Sequence, residues 1–208
     1  MKSKKIVALV SVLVLVLAAV GAAVAETVLP NPGKIDLNHL ENLYVTTNIE
    51  YKGNGIAALT LLENEQFAGD AVRGLKAGDV LCTNGENIQI ETLEWDGPDL
   101  FINRGTDNEV LLGEAGDGLY ERVMEDDRVP QLTVGTREVE ILPYVVMLDW
   151  VDAKTGEMLD QVAVRSGEEL VALLESNDGP SFAVENVHVL YDHYNQPTLV
   201  WRFYSPAQ

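Results

Sequence analysis

Sulfur, aromatic rings and positive charge are all scarce in this chain. A single cysteine stands among 208 residues, so no intramolecular disulfide can form and stability has to come from a packed core. That residue, Cys82, lies within Asp79-Val80-Leu81-Cys82-Thr83, a pattern that predicts a buried strand thiol. Aromatic residues make up 7% of the chain, and tryptophan occurs three times, which leaves little to line a sugar groove. Lys and Arg number 14 against 33 Asp and Glu, a formal charge of -19. That balance excludes affinity based on neutralising phosphates or anionic lipid heads, so nucleic acid is not an expected partner. Apolar residues are not scarce: at 47% they can build a core, which excludes wholesale disorder.

The basic residues are also unevenly placed. Lys2, Lys4 and Lys5 precede an uncharged Val/Leu/Ala run from Ile6 to Val20, and Ala23-Val24-Ala25 offers small residues at the two positions read by a signal peptidase. Residues 1–25 are therefore expected to be a secretory signal, with Ala23 and Ala25 as the processing residues. The alternative is an uncleaved N-terminal anchor, since Ile6–Ala25 supplies the roughly 20 apolar residues that span a bilayer. Cleavage would leave 33 acids against 11 bases from Glu26 onward. The expected product is secreted and extracellular, with no stable membrane insertion, and repels polyanions. It would attract cations, basic proteins or neutral ligands.

Beyond a linker over residues 26–37, the chain reads as short extended runs broken by Gly, Asn and Asp. Leu43–Tyr51 and Gly55–Leu62 flank a turn at Lys52-Gly53-Asn54-Gly55. Asp79–Thr83 and Glu86–Trp95 straddle Asn84-Gly85, the dipeptide suited to a two-residue type I′ turn. In the second of these strands Ile88 and Ile90 have one parity while Leu93 and Trp95 have the other, so a bulge near Glu91 or Thr92 is expected. Further runs at Leu100–Asn103, Glu109–Leu112 and Leu119–Met124 complete a set of short, close strands. The set predicts a small bent SH3-like barrel over about Leu75 to Asp127.

Tyr144–Trp150 is almost continuously apolar and predicts a central strand covered on both faces. Met158–Val164 follows as a strand. Ser166-Gly167-Glu168-Glu169 has the form of a capping box opening a helix whose apolar face is Leu170, Val171, Leu173 and Leu174. Asn186–Tyr191 and Thr198–Tyr204 form a last hairpin, with Leu199, Trp201 and Phe203 on one face. The expected fold is mainly β (α+β): a barrel-like part over 38–128 followed by a β-helix-β portion over 129–208, the two able to pack as one unit.

Few residues suggest catalysis. The histidines are His39, His188 and His193, and none accompanies a G-x-S-x-G or a cysteine signature. On a strand His188 and His193 point to opposite faces, which argues against a shared metal. Among the acidic clusters, Asp152–Glu157 lacks the alternating ligand positions of a calcium loop and reads as a hairpin turn, and Glu125-Asp126-Asp127 and Asp107-Asn108-Glu109 read as solvated loops. No catalytic residue, metal ligand or cofactor is assigned. Trp95, beside the turn Asp96-Gly97-Pro98-Asp99, is the one tryptophan outside a core-like run, so Trp95, Asp96 and Asp99 are the candidate binding residues.

The stretches Gly74-Leu75-Lys76-Ala77-Gly78-Asp79-Val80, Gly85–Leu93, Ile102-Asn103 and Asp117-Gly118-Leu119-Tyr120 resemble secreted proteins of unknown function from anaerobic gut bacteria. The likeness spans about Leu43 to Trp150, on turn and core positions. It implies no catalytic residues. The function expected is an exported, acidic, non-enzymatic binding or interaction protein acting on an extracellular ligand or protein. Alternatives are a small secreted hydrolase using paired carboxylates on a glycan, which needs one carboxyl of raised pKa near a second, and a Ca²⁺-dependent adhesion module.

Overall fold

The computed structural model describes residues 25–31, 34–124, 129–152, 154–176 and 187–203. Residues 1–24 of the expected leader, Ala23 among them, and the cluster Glu125-Asp126-Asp127 lie outside those residues. In chain order the strands are β1 (Thr27–Val28), β2 (Tyr44–Gly53), β3 (Ile56–Asn64), β4 (Gln66–Ala68), β5 (Val80–Thr83), β6 (Glu86–Gln89), β7 (Leu93–Asp96) and β8 (Asp99–Ile102). They continue as β9 (Val110–Gly116), β10 (Leu119–Val123), β11 (Gln131–Glu140), β12 (Val146–Val151), β13 (Met158–Ser166), β14 (Val187–Tyr191) and β15 (Pro197–Arg202). Two helices, α1 (Gly69–Gly74) and α2 (Gly167–Ser176), complete the described elements. The chain is mainly β.

The strands form three sheets. Seven are ordered β11-β3-β2-β14-β15-β12-β13, five β4-β10-β9-β8-β7, and three β1-β5-β6. Among the described residues none of these closes into a barrel, and the short strands divide between two sheets at the parity conflict between Ile90 and Leu93. No bulge repairs it. Instead β6 stops at Gln89, and the chain steps out of the three-stranded sheet and re-enters the five-stranded one as β7. Asn103 makes the step tolerable. It adopts a left-handed φ of 54°, is 3% exposed, and its Oδ1 accepts the Glu91 and Thr92 amides at 2.7 and 3.1 Å while its Nδ2 donates to the Gln89 carbonyl at 2.8 Å. The side chain thus supplies the partners that a continuous ladder would have supplied.

The turns follow their sequence chemistry. Asn84 and Gly85 have φ of 51° and 73°, and Asn54 and Gly55 of 54° and 75°, as type I′ connections require. Strand β9 runs further than its sequence suggests, through Gly113 to Gly116, before Asp117-Gly118 turns the chain. A Cβ on Gly113 would meet Val123 Cγ2 at 3.1 Å, so the small residue there lets β9 and β10 lie close.

Two separate cores result. Val28, Phe67, Val72, Leu75, Leu81, Ile88, Ile90, Leu100, Ile102, Leu112 and Tyr120 fill the space shared by the two smaller sheets. The second core lies on one face of the seven-stranded sheet, where Val45, Ile49, Leu59, Leu61, Met147, Val189 and Val200 meet Leu170 and Leu174 of α2. The capping box is formed: the Ser166 amide donates to Glu169 Oε2 at 2.7 Å and the Glu169 amide to Ser166 Oγ at 3.2 Å. The first hairpin, grouped by sequence with 38–128, pairs instead with β14 and β11 of the C-terminal part. Residues 65–124 are therefore inserted between two strands of the larger sheet. Chain order suggested the grouping, and pairing across more than 100 residues overrides it.

Candidate functional site

Side chains alternate across a strand, so each strand of the seven-stranded sheet shows one set of residues to α2 and the other to the opposite face. On β12 the core side takes Met147, Asp149 and Val151, all buried, and Val146 and Leu148 take the other. In the parallel pair Val146 lies beside Leu199 and Leu148 beside Trp201. Across β13, Leu148 lies opposite Val164. Across β14, His188 lies opposite Trp201 and Leu190 opposite Leu199, and Leu190 also faces Tyr44 of β2.

The outcome is an apolar patch spread over five strands. Val164 is 68% exposed, Tyr44 55% and Phe203 43%, and Leu148, Leu190, Leu199 and Trp201 are half-buried among them. Trp201 and Phe203 stack at 4.7 Å with an interplanar angle of 25°, and His188 meets Phe203 edge-on at 5.3 Å. Trp201 Nε1 is buried with no acceptor among the described residues. Toward β11 the same face turns polar: Asn48, Thr60 and Thr136 lie there in register, and the two threonine hydroxyls are 2.9 Å apart.

This corrects the sequence reading in two places. The strand expected over Tyr144–Trp150 is β12, Val146–Val151, an interior strand covered on one face, not two. Leu199, Trp201 and Phe203 share a face, but it is the open one. An ion pair occupies the covered side instead. Asp149 and Arg202 are neighbours in the parallel ladder, both are buried, and Arg202 donates to Asp149 from Nε at 2.8 Å and Nη2 at 3.0 Å. Arg165 Nε adds a bond to Asp149 Oδ2 at 3.0 Å, and the Val151 amide and carbonyl take up further capacity. Burial of these two charges is tolerable because each finds the other.

Trp95, Asp96 and Asp99 do come together, at the tip of the β7–β8 hairpin, where Asp96 pairs with Asp99 around Gly97-Pro98. Trp95 is 46% exposed and lies edge-on to Tyr120, centroids 6.1 Å apart. The two carboxylates flank a protruding turn. Cys82 is half-buried, on the side of β5 opposite buried Leu81 and Thr83.

Each buried carboxylate already has donors. Glu65, 1% exposed, accepts the Thr83 hydroxyl and the Asn84 amide. Asp79, equally buried, accepts the Glu26 and Lys76 amides. A cleft of about 240 Å³ between Asn31, Lys34, Ile35, Glu63, Asn64 and Gln66 contains one acid, and Glu63 Oε2 there accepts the Lys34 and Ile35 amides at 2.9 and 3.3 Å. The carboxyls of Asp36, Asp79, Asp152 and Glu169 lie below their ordinary range, each chiefly because a backbone amide donates to it. This is opposite to the shift a general acid needs.

Asp152 closes an ordinary turn, accepting the Lys154 and Thr155 amides. Among the described residues no three His, Cys, Asp or Glu converge as a metal site. His188 lies on the open face, and His193, in the β14–β15 turn, packs on Tyr194 at 3.8 Å. No described helix is long and apolar enough to cross a membrane. Compared with protein-family models, with curated proteins and with solved structures, the chain matches none.

Proposed function

We propose that this is an exported, acidic binding protein. In this reading its ligand is a second protein that docks on the open apolar half-face of the seven-stranded sheet. The observation that carries it is the patch of Tyr44, Leu148, Val164, Leu190, Leu199, Trp201 and Phe203, an arrangement in which contiguous apolar surface marks an interaction site. Aliphatic side chains outnumber rings in it, and Phe203 is already stacked on Trp201, which favours an apolar protein surface over a sugar. The 33 acids against 11 bases from Glu26 onward favour a partner whose apolar face is rimmed by Lys and Arg. The leader sequence supports export, with cleavage after Ala25. The smaller body we read as an opened counterpart of a small SH3-like barrel, on the strength of one core shared by two short-stranded sheets.

A photo-crosslinking residue at Val164 or Phe203, compared with one at Thr136 on the polar half, tests the docking face on living cells. The expected result is crosslinking to one basic protein from positions 164 and 203 only. It should weaken as salt is raised and vanish with Leu148→Glu in a chain that still melts cooperatively. Equal crosslinking from position 136, or crosslinks that reach only further copies of this chain, would overturn the proposal.

A further inference from the structure

Asp79 occupies the turn marked in the sequence by Gly78-Asp79, where Gly78 has a φ of 97°. Its carboxylate is 1% exposed. Oδ2 accepts the Lys76 amide at 3.0 Å, and Oδ1 accepts the amide of Glu26 at 2.9 Å. The Glu26 nitrogen is held there by more than this bond. The Val80 amide donates to the Glu26 carbonyl at 2.8 Å, Thr27 and Val28 pair in parallel with Val80 and Leu81, and Val28 enters the smaller core. The residues of the leader's A-x-A end at the bond to this same nitrogen.

We infer that Asp79 is the receptor for the α-ammonium group that leader removal creates at Glu26, so that processing turns an amide hydrogen bond into an ion pair with a buried carboxylate and fastens β1 to its sheet. The inference rests on the proposed cleavage after Ala25. In that hydrolysis the bond between the Ala25 carbonyl carbon and the Glu26 nitrogen breaks. The hydroxyl of water goes to the carbonyl carbon and its hydrogen to the nitrogen, and the amine then takes one proton from solvent at neutral pH. Nothing is oxidised or reduced, and the catalyst is the peptidase of the export machinery.

Electrostatics favours the processed form. A charge-assisted bond to a carboxylate is roughly twice as strong as a neutral one, and an ammonium brings three donors where an amide brings one. Other groups facing Asp79 are few. Lys76 Nζ stands 3.9 Å away and is 52% exposed, Gln89 from β6 donates to the Gly78 and Asp79 carbonyls rather than to the carboxylate, and the carboxylate of Glu26 itself belongs to an exposed residue. The carboxyl of Asp79 is already held below its ordinary range, first by the Glu26 amide.

The test compares the chain beginning at Glu26 with one retaining Val24-Ala25, each with and without Asp79→Asn, by thermal melting between about pH 6 and pH 10. A free α-amino group titrates near pH 8. Pairing raises that value in the folded state, so the added stability is present below it and lost as pH rises through the raised value. The chain starting at Glu26 should melt several degrees above the extended one at neutral pH. That lead should disappear toward pH 10, and Asp79→Asn should abolish it. Equal midpoints at neutral pH, or a lead that survives high pH or Asp79→Asn, would overturn the inference. Should Asp79→Asn fail to fold, the pH dependence of acylation of the Glu26 amine decides: titration near pH 8 overturns the pairing, and a raised value supports it. N-terminal sequencing of the exported protein separates the two layers. A start other than Glu26 overturns the processing site, whereas a Glu26 start with equal midpoints overturns only the role of Asp79.

Discussion

Replacement of Asp149 by Ala should destabilise the protein by about 3 to 5 kcal/mol, the usual cost of removing one partner from a buried ion pair. The carboxylate is fully buried and accepts four N–H groups: Arg202 Nε and Nη2 at 2.8 and 3.0 Å, Arg165 Nε at 3.0 Å and the Val151 amide at 3.1 Å. Arg202, 3% exposed, would keep its bond to the Val151 carbonyl but lose its bidentate carboxylate. For a domain of this size each kcal/mol moves the melting temperature by about 2 to 4 °C, so the variant should melt roughly 6 to 20 °C lower. Urea denaturation monitored by tryptophan fluorescence gives the free energy directly. Arg165→Gln should cost only about 1 kcal/mol, because Arg165 is partly exposed and screened. The double variant Asp149→Leu with Arg202→Met should recover most of the loss, since apolar replacements of both partners are often neutral. An Asp149→Ala variant within about 1 kcal/mol of the parent, with cooperative unfolding retained, would refute the claim that Arg202 depends on this carboxylate for its burial.

Other substitutions test the backbone devices. Asn103→Ala removes three hydrogen bonds and leaves a left-handed φ of 54° to a Cβ-bearing residue without its side-chain bonds; a loss of about 2 to 4 kcal/mol is expected by urea denaturation. Gly167→Ala would set a Cβ 2.1 Å from the Leu142 carbonyl oxygen, so the backbone must shift at a cost of about 3 kcal/mol. Gly74→Ala meets nothing within 4 Å and should be neutral or stabilising by about 0.5 kcal/mol. Stability should also depend on pH at both extremes. Asp36, Asp79, Asp152 and Glu169 have lowered values in the fold, so their contribution is complete above the unfolded value near pH 4 and drains away as pH falls below it. Tyr191 is shifted upward by burial, so its neutral phenol favours the fold until the unfolded chain ionises near pH 10. A urea midpoint that stays flat from about pH 5 down to pH 2 would contradict the acid limb.

Local chemistry was legible in the sequence to different depths. The turns at Asn54-Gly55 and Asn84-Gly85 and the cap at Ser166–Glu169 depend on neighbours in the chain, and each has the geometry its residues imply. The phase conflict between Ile90 and Leu93 was visible too, but its cure was not. A bulge and a change of sheet leave the same mark on the sequence, and only Asn103, 11 residues beyond Thr92, selects the second. The candidate face was hidden for a different reason. In β12 both parities are apolar apart from Asp149, and in β15 Leu199 and Trp201 alternate with Thr198, Val200 and Arg202, so hydrophobicity alone turns tryptophan inward. Asp149 and Arg202, which pair on the covered side instead, lie 53 positions apart, so neither strand read singly discloses that they meet. Trp95 stands out in the sequence because it lies beside a turn and outside a core-like run, whereas the alternation around Trp201 reads as core.

The insertion between β3 and β11 is closed at its base by one rung, where Asn64 pairs with Gln131 and the Glu65 amide donates to the Pro130 carbonyl at 2.7 Å; it also holds β1, which pairs with β5. Host and guest are consequently joined like a cassette in a frame. Every ladder of the seven-stranded sheet lies outside the stretch from Glu65 to Pro130, so exchanging that stretch for a tight reverse turn leaves the frame's own pairing intact and frees β1. The patch of Trp201 and Val164, the proposed docking face, lies on the frame, and Asp79, the proposed receptor of the Glu26 amine, lies on the cassette, each with its own core.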